Sequence, residues 1–210
     1  SILSFCNAIS SVRSQSPSLL NLKYLHMSLC SCDKIDDKGI TLLGQEISKF
    51  SDLKTLILDL KYLEKLTDNA LTYLSKFLAR TKIQILYLDF QGNNNLSEAG
   101  ILELTLSLST MKSLKDISLI FSDCKKVNDE STSTLCTKIL KLPELRKLTF
   151  GFSRCTDITD IAIEILSSSL LGKTTVQDLS LFFSGCTLLG NHAMGNLATG
   201  LKNIATFLTH

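Results

Sequence analysis

The feature that most constrains this chain is a short apolar phrase that returns six times at an almost constant interval. The phrase is L-x-x-L-x-L, with Leu, Ile, Val, Met or Phe at the fixed positions. It begins at Leu22, Leu53, Ile83, Leu114, Leu145 and Val176. Successive starts lie 31, 30, 31, 31 and 31 residues apart. One supersecondary unit of this size cannot bury its own apolar face, so the units must stack and share a continuous core.

The rest of each unit keeps the same register. With each start counted as position 0, positions 3, 5 and 7 are apolar, and position 7 reads Leu29, Leu60, Phe90, Phe121, Phe152 and Phe183. Alternation of this kind predicts a strand with one face in the core. Position 10 reads Cys32, Leu63, Asn93, Cys124, Cys155 and Cys186, and position 13 is always aliphatic. Position 14 then carries Asp36, Thr67, Ser97, Asn128, Thr159 and Gly190. The first five are strong N-cap residues, whose side-chain oxygen accepts a free amide of the first helical turn. Position 15 holds Asp37, Asp68, Glu98, Asp129, Asp160 and Asn191, where acids suit the positive end of the helix dipole. Position 17 is always Gly, Ala or Ser, which predicts close approach of the helix to a neighbouring backbone. Positions 18, 21, 25 and 28 are mostly apolar, the spacing of one helix face, with Thr132, Thr81 and Lys173 as exceptions.

Each unit therefore reads as a strand, a turn and a helix of about three turns. Every strand is entered the same way, so the sheet must be parallel with right-handed crossovers. Strands stack ~4.8 Å apart. Helices are ~10 Å thick. The stack must therefore curve, with strands on the concave side and helices on the convex side.

A unit of this kind resembles the ribonuclease-inhibitor-like and cysteine-containing classes of leucine-rich repeat. The resemblance is carried by Cys155-Thr156-Asp157-Ile158-Thr159-Asp160 followed by Ala162, which fits the C-x-x-I-T-D-x-G/A signature of the cysteine-containing class. It covers residues 22–206 and implies an α/β leucine-rich-repeat solenoid. One departure is an extra pair before the Cys or Asn, as in Phe121-Ser122, Phe152-Ser153 and Phe183-Ser184, which lengthens the strand by one pleat. The resemblance implies a non-catalytic scaffold or adaptor that holds a protein on its concave face. It leaves open a regulator in trans such as a GTPase activator, a substrate-recruiting arm of a ubiquitin ligase, and a structural part of a large assembly.

The chain reads as one array over residues 1–210. A partial repeat occupies 1–21, repeats start at 22, 53, 83, 114, 145 and 176, and a further strand starts at 207–210. Ala8, Ile9 and Val12 lie 31 residues before Gly39, Ile40 and Leu43, as the helix of a preceding repeat would, while Leu3-Ser4-Phe5-Cys6 also reads as a short strand. Neither end reads as a polar cap, so the expectation is a fragment or subunit of something larger.

Composition narrows the function classes. An apolar content of 44% argues for a packed core. A net charge of +2 from 22 basic and 20 acidic residues does not read as a nucleic-acid footprint or a polybasic membrane patch. Apolar runs are interrupted too often to span a bilayer, and the first residues do not read as a signal peptide. Seven cysteines, an odd number without a C-x-x-C pair, suit a reducing, cytoplasmic setting.

No chemistry-bearing constellation emerges, so no cofactor, metal or small-molecule substrate is expected. His26, Cys30 and Cys32 are close in sequence. Four strand residues separate His26 from Cys30 by ~13 Å, too far for one tetrahedral ion. The cysteines at position 10 read as a buried column of small apolar fillers. The informative residues lie at positions 2, 4, 6 and 8, the solvent face of the strands. There Tyr24, His26, Ile57, Ile85 and Tyr87 cluster on adjacent strands, flanked by Asp59 and Asp89, with Phe182 further along. Exposed aromatics among polar groups are common protein-binding anchors.

Overall fold

The computed structural model of this chain describes residues 21–171 and 175–207. Readings that fall on residues 1–20, on 172–174 and on 208–210 lie outside the described residues. Among the described residues six strands alternate with six helices: β1 Tyr24–Ser28, α1 Asp37–Ile47, β2 Thr55–Asp59, α2 Asp68–Leu78, β3 Ile85–Asp89, α3 Glu98–Leu108, β4 Asp116–Ile120, α4 Asp129–Ile139, β5 Lys147–Gly151, α5 Asp160–Leu170, β6 Asp178–Phe182 and α6 Asn191–Phe207. The strands form one parallel sheet in chain order. This is the leucine-rich-repeat type of α/β solenoid.

The pairing register follows the apolar phrase. Leu25, Leu56, Leu86, Ile117, Leu148 and Leu179 are successive partners across the sheet. One face of each strand enters a continuous core, in which Leu58, Leu88, Leu119 and Phe150 are fully buried. At position 7 the rings of Phe90 and Phe121 stack with centroids 5.4 Å apart, Phe121 and Phe152 at 6.4 Å, and Phe152 and Phe183 at 5.7 Å.

The strands proper are five residues long, yet the ladder continues beyond them. The position 7 amides donate to the next strand, as Leu29 does to the Asp59 carbonyl at 2.8 Å. So do the position 9 amides: Tyr62 to Gln91 at 2.8 Å, Gly92 to Ser122 at 2.9 Å and Asp123 to Ser153 at 2.8 Å. Position 9 is where the chain turns. Ser31, Tyr62, Asp123 and Arg154 have φ of 56°, 54°, 60° and 60°, and Gly92 and Gly185 have 75° and 76°. The left-handed region costs a side-chain-bearing residue ~1–2 kcal/mol. The ladder bond at each of the first five of these amides offsets that cost and holds the turn.

Helix starts carry two kinds of bond. Asp36, Thr67, Ser97, Asn128 and Thr159 cap their own helices. The acids at position 15 do more than answer the helix dipole, because each reaches the start of the next helix. The carboxylate of Asp37 accepts the Thr67 amide at 2.8 Å, Asp68 that of Ser97 at 2.7 Å, Asp129 that of Thr159 at 2.7 Å, and Asp160 that of Gly190 at 2.7 Å. This explains the small residues two places on. A Cβ on Gly100 would lie 2.4 Å from Asp68 Oδ1 and 2.9 Å from its Cα.

The column at position 10 is buried from Leu63 to Cys186. The thiols of Cys124, Cys155 and Cys186 donate to the carbonyls of Phe90, Phe121 and Phe152 in the preceding repeat at 3.2, 3.2 and 3.1 Å. Asn93 does the same with more. Its Nδ2 donates to the Leu60 and Phe90 carbonyls at 2.9 and 2.8 Å, and its Oδ1 accepts the Leu63 amide at 2.8 Å. Leu63, which has no polar group to offer, is thus served by the Asn of the following repeat. At the far end, helix α6 takes in Phe207.

Candidate partner-binding face

Pairing brings the expected cluster together. Tyr24 lies beside Thr55 and then Ile85, while His26 lies beside Ile57 and then Tyr87. Tyr24 is 55% and Ile85 40% exposed; His26 is exposed, and Ile57 and Tyr87 are half-buried. Successive strands stand ~4.8 Å apart, so this set forms one patch across β1, β2 and β3. Phe182, 52% exposed, stands three strands away on β6 and does not belong to it.

The acids do not flank the patch as two free carboxylates. Asp89 is only 4% exposed, although its position predicts a solvent-facing side chain. Tyr87 Oη donates to its Oδ2 at 3.0 Å, and the Gln91 amide donates to its Oδ1 at 3.1 Å. Lys61 Nζ stands 3.3 Å from Asp59 Oδ2 and 3.9 Å from Asp89 Oδ2, bridging two carboxylates that are partners in register. Ser28 Oγ donates to Asp59 Oδ2 at 2.9 Å. The result is a connected polar network beside the aromatic patch.

The network shifts its members. Burial, then the charge and hydrogen bond of Asp89, push the Tyr87 hydroxyl up to about 12. Burial pulls the Lys61 ammonium down, but its hydrogen bond and attraction to Asp59, and then the charge of Asp89, outweigh this and leave it above the usual lysine value. Both groups thus keep their neutral-pH form, Tyr87 as a donor and Lys61 as a cation. A surface whose polar groups are already oriented needs little reordering when a partner arrives.

A second feature lies on the rim where the strands end, and no sequence pattern marks it. Gln91 Nε2 donates to Tyr62 Oη at 2.8 Å and to Asp123 Oδ2 at 3.0 Å. Asp123 also takes both Nε and Nη2 of Arg154, and that guanidinium, ahead of the Gln91 bond, holds its carboxyl below the usual range. Tyr62 and Asp123, with Glu64, Gly92, Asn94, Asn95 and Lys125, border a cleft of about 560 Å³. Position 9 shares no side-chain chemistry from repeat to repeat, so only the turn geometry reveals it as a column.

No protein-family model matches this sequence, and no curated protein is significantly similar to it. Among solved structures, the chain is similar to one in the crystal structure of the Rad7 and Elc1 complex in yeast. The match has 17% identity and a TM-score of 0.37, and covers 96% of this chain and 67% of that one. Among the described residues no helix is long and apolar enough to cross a membrane.

Proposed function

We propose that this chain is a non-catalytic protein-binding scaffold or adaptor of the leucine-rich-repeat kind, and that its partner sits on the concave face over β1, β2 and β3. The supporting observation is the patch of Tyr24, His26, Ile57, Ile85 and Tyr87 set beside the Asp59–Lys61–Asp89 network. Aromatic and aliphatic side chains there offer area, and the network offers oriented polar contacts around them. The finer features belong to this proposal too. The repeat is of the ribonuclease-inhibitor-like, cysteine-containing class at 31 residues, the array fills residues 1–210 within a larger assembly, and the setting is a reducing compartment.

The test is affinity purification of the full-length protein with mass spectrometry of its partners, followed by binding measurements. Tyr87→Ala with Ile57→Ala is expected to weaken a stoichiometric partner by ~30-fold or more, as loss of ~2 kcal/mol at an anchor does. Full retention of that partner by a folded double variant would move the site off this face.

A further inference from the structure

The balanced overall charge hides a segregation along the two edges of the solenoid. Because the strands are parallel, all of their starts lie on one edge and all of their ends on the other. The segments 21–24, 46–55, 76–85, 107–116, 138–147 and 169–178 run from the last helical turn to the next strand's first residue. Leaving aside 172–174, they hold twelve Lys or Arg and five Asp or Glu. The segments from each strand end into the next helix (28–38, 59–69, 89–99, 120–130, 151–161 and 182–192) hold seven basic and thirteen acidic residues.

Part of the basic edge answers the helix ends. Lys76 and Lys138 sit in last turns, Lys112 Nζ donates to the Ser109 carbonyl at 3.0 Å, and Lys49 pairs with Glu46. Position 1, just before each strand, has no such explanation. It reads Lys23, Lys54, Gln84, Lys115, Arg146 and Gln177, and these residues are joined directly by the ladder. Lys54 donates its amide to Lys23 at 2.9 Å, Gln84 to Lys54 at 2.8 Å, Lys115 to Gln84 at 2.8 Å and Arg146 to Lys115 at 2.7 Å. Like charges are thereby held on adjacent strands, ~4.8 Å apart, which is unfavourable in the free protein. Asp52, Glu144, Asp116 and Asp178 are near in sequence. Among the described residues, however, none forms an ion pair within 4.0 Å of these four cations.

We propose that this strand-entry edge binds an acidic peptide segment of a protein partner. Charge complementarity supplies the argument. From Lys23 to Arg146 is four strand spacings, ~19 Å, the length of about six extended residues. The cations come as two pairs with Gln84 between them, so acids near both ends of such a segment meet a pair each. A nucleic acid fits less well. Stacking aromatics do not alternate with the cations, and the acidic opposite edge would repel a long polyanion. This edge adjoins the concave patch, since Lys23 and Gln84 directly precede Tyr24 and Ile85; Tyr87, two residues further along its strand, lets the two sites be tested apart.

The test uses the full-length protein and a fluorescein-labelled peptide of about fifteen residues rich in Glu and Asp, followed by anisotropy at low and moderate salt. The expected result is salt-sensitive binding that Lys54→Glu with Lys115→Glu weakens by ~10-fold or more. Lys65→Glu with Lys126→Glu, on the opposite edge, and Tyr87→Ala should each leave it within about twofold. Thermal melts confirm that each variant is folded. Absence of binding at low salt, equal loss in the opposite-edge variant, or tighter binding of a single-stranded oligonucleotide or of phosphatidylserine vesicles would each overturn the proposal.

Discussion

The two halves of the concave face have the same backbone and different surfaces. Over β1 to β3 the solvent-facing positions 4, 6 and 8 carry His26, Ile57 and Tyr87, then Asp59 and Asp89, then Lys61 and Gln91. Over β4 to β6 the same positions carry Ser118, Thr149 and Ser180, then Ile120, Gly151 and Phe182, then Ser122, Ser153 and Ser184. The first half closes a network of charges beside a large patch. At these positions the second half is small and hydroxylic, with one apolar row in which Ile120 lies across Gly151: a Cβ there would stand 2.8 Å from Ile120 Cδ1. Pairing register is unaffected. The fold is thus held by positions 3, 5, 7 and 10, and the solvent-facing rows are free to differ between the halves.

If that division holds, core changes should damage both halves alike. The largest effect is expected for Phe121→Ala, which removes a fully buried ring from between Phe90 and Phe152. A loss of ~4 kcal/mol should appear in urea melts, as for other large aromatic truncations. Next comes Asn93→Ala, which leaves the buried Leu63 amide and the Leu60 carbonyl without partners; ~3 kcal/mol is expected. Asn93→Cys should recover part of this, because a thiol at this position reaches the preceding carbonyl in three other repeats. Equal losses for the two variants would mean that the column works by volume and its hydrogen bonds matter little.

Surface changes should be milder and confined to one half. Gly151→Ala presses on both Cδ1 and Cγ2 of the half-buried Ile120, at 2.8 and 3.0 Å, so ~1 kcal/mol is expected in the same melts. The Tyr87 hydroxyl gives a finer test. Its value of about 12 in the folded protein lies above the ordinary ~10. The folded state holds that proton more tightly, so this contribution is whole below pH ~10 and is lost as pH rises from there to about 12. Ultraviolet-difference titration of Asp89→Asn should show Tyr87 ionising earlier, with no change at other tyrosines. The smallest effect concerns rates alone. Burial holds the Cys124, Cys136 and Cys155 thiols up at about 12. At pH 8 iodoacetamide should label exposed Cys32 first, and these three only as the protein unfolds.

Periodicity alone determined the parallel stack, the cap positions, the core face of every strand and the identity of the aromatic patch. Each follows from which residue types recur at a fixed interval, and a one-residue slip would turn the apolar set to solvent. What remained was settled between repeats. Asp89 is covered because Lys61 comes from the strand before it and Tyr87 folds over it from its own. The position 15 acids bond helices one repeat later, and Asn93 serves both its own turn and the previous one. The left-handed column at position 9 combines Ser, Tyr, Gly, Asp, Arg and Gly, which share no propensity; the ladder bonds bend the chain there. The basic edge likewise became visible only when stacking set Lys23, Lys54, Lys115 and Arg146 side by side. Periodic burial is a property of one chain segment and can be read along it. Polar satisfaction and surface charge depend on atoms about thirty residues away, brought into contact only by the stack.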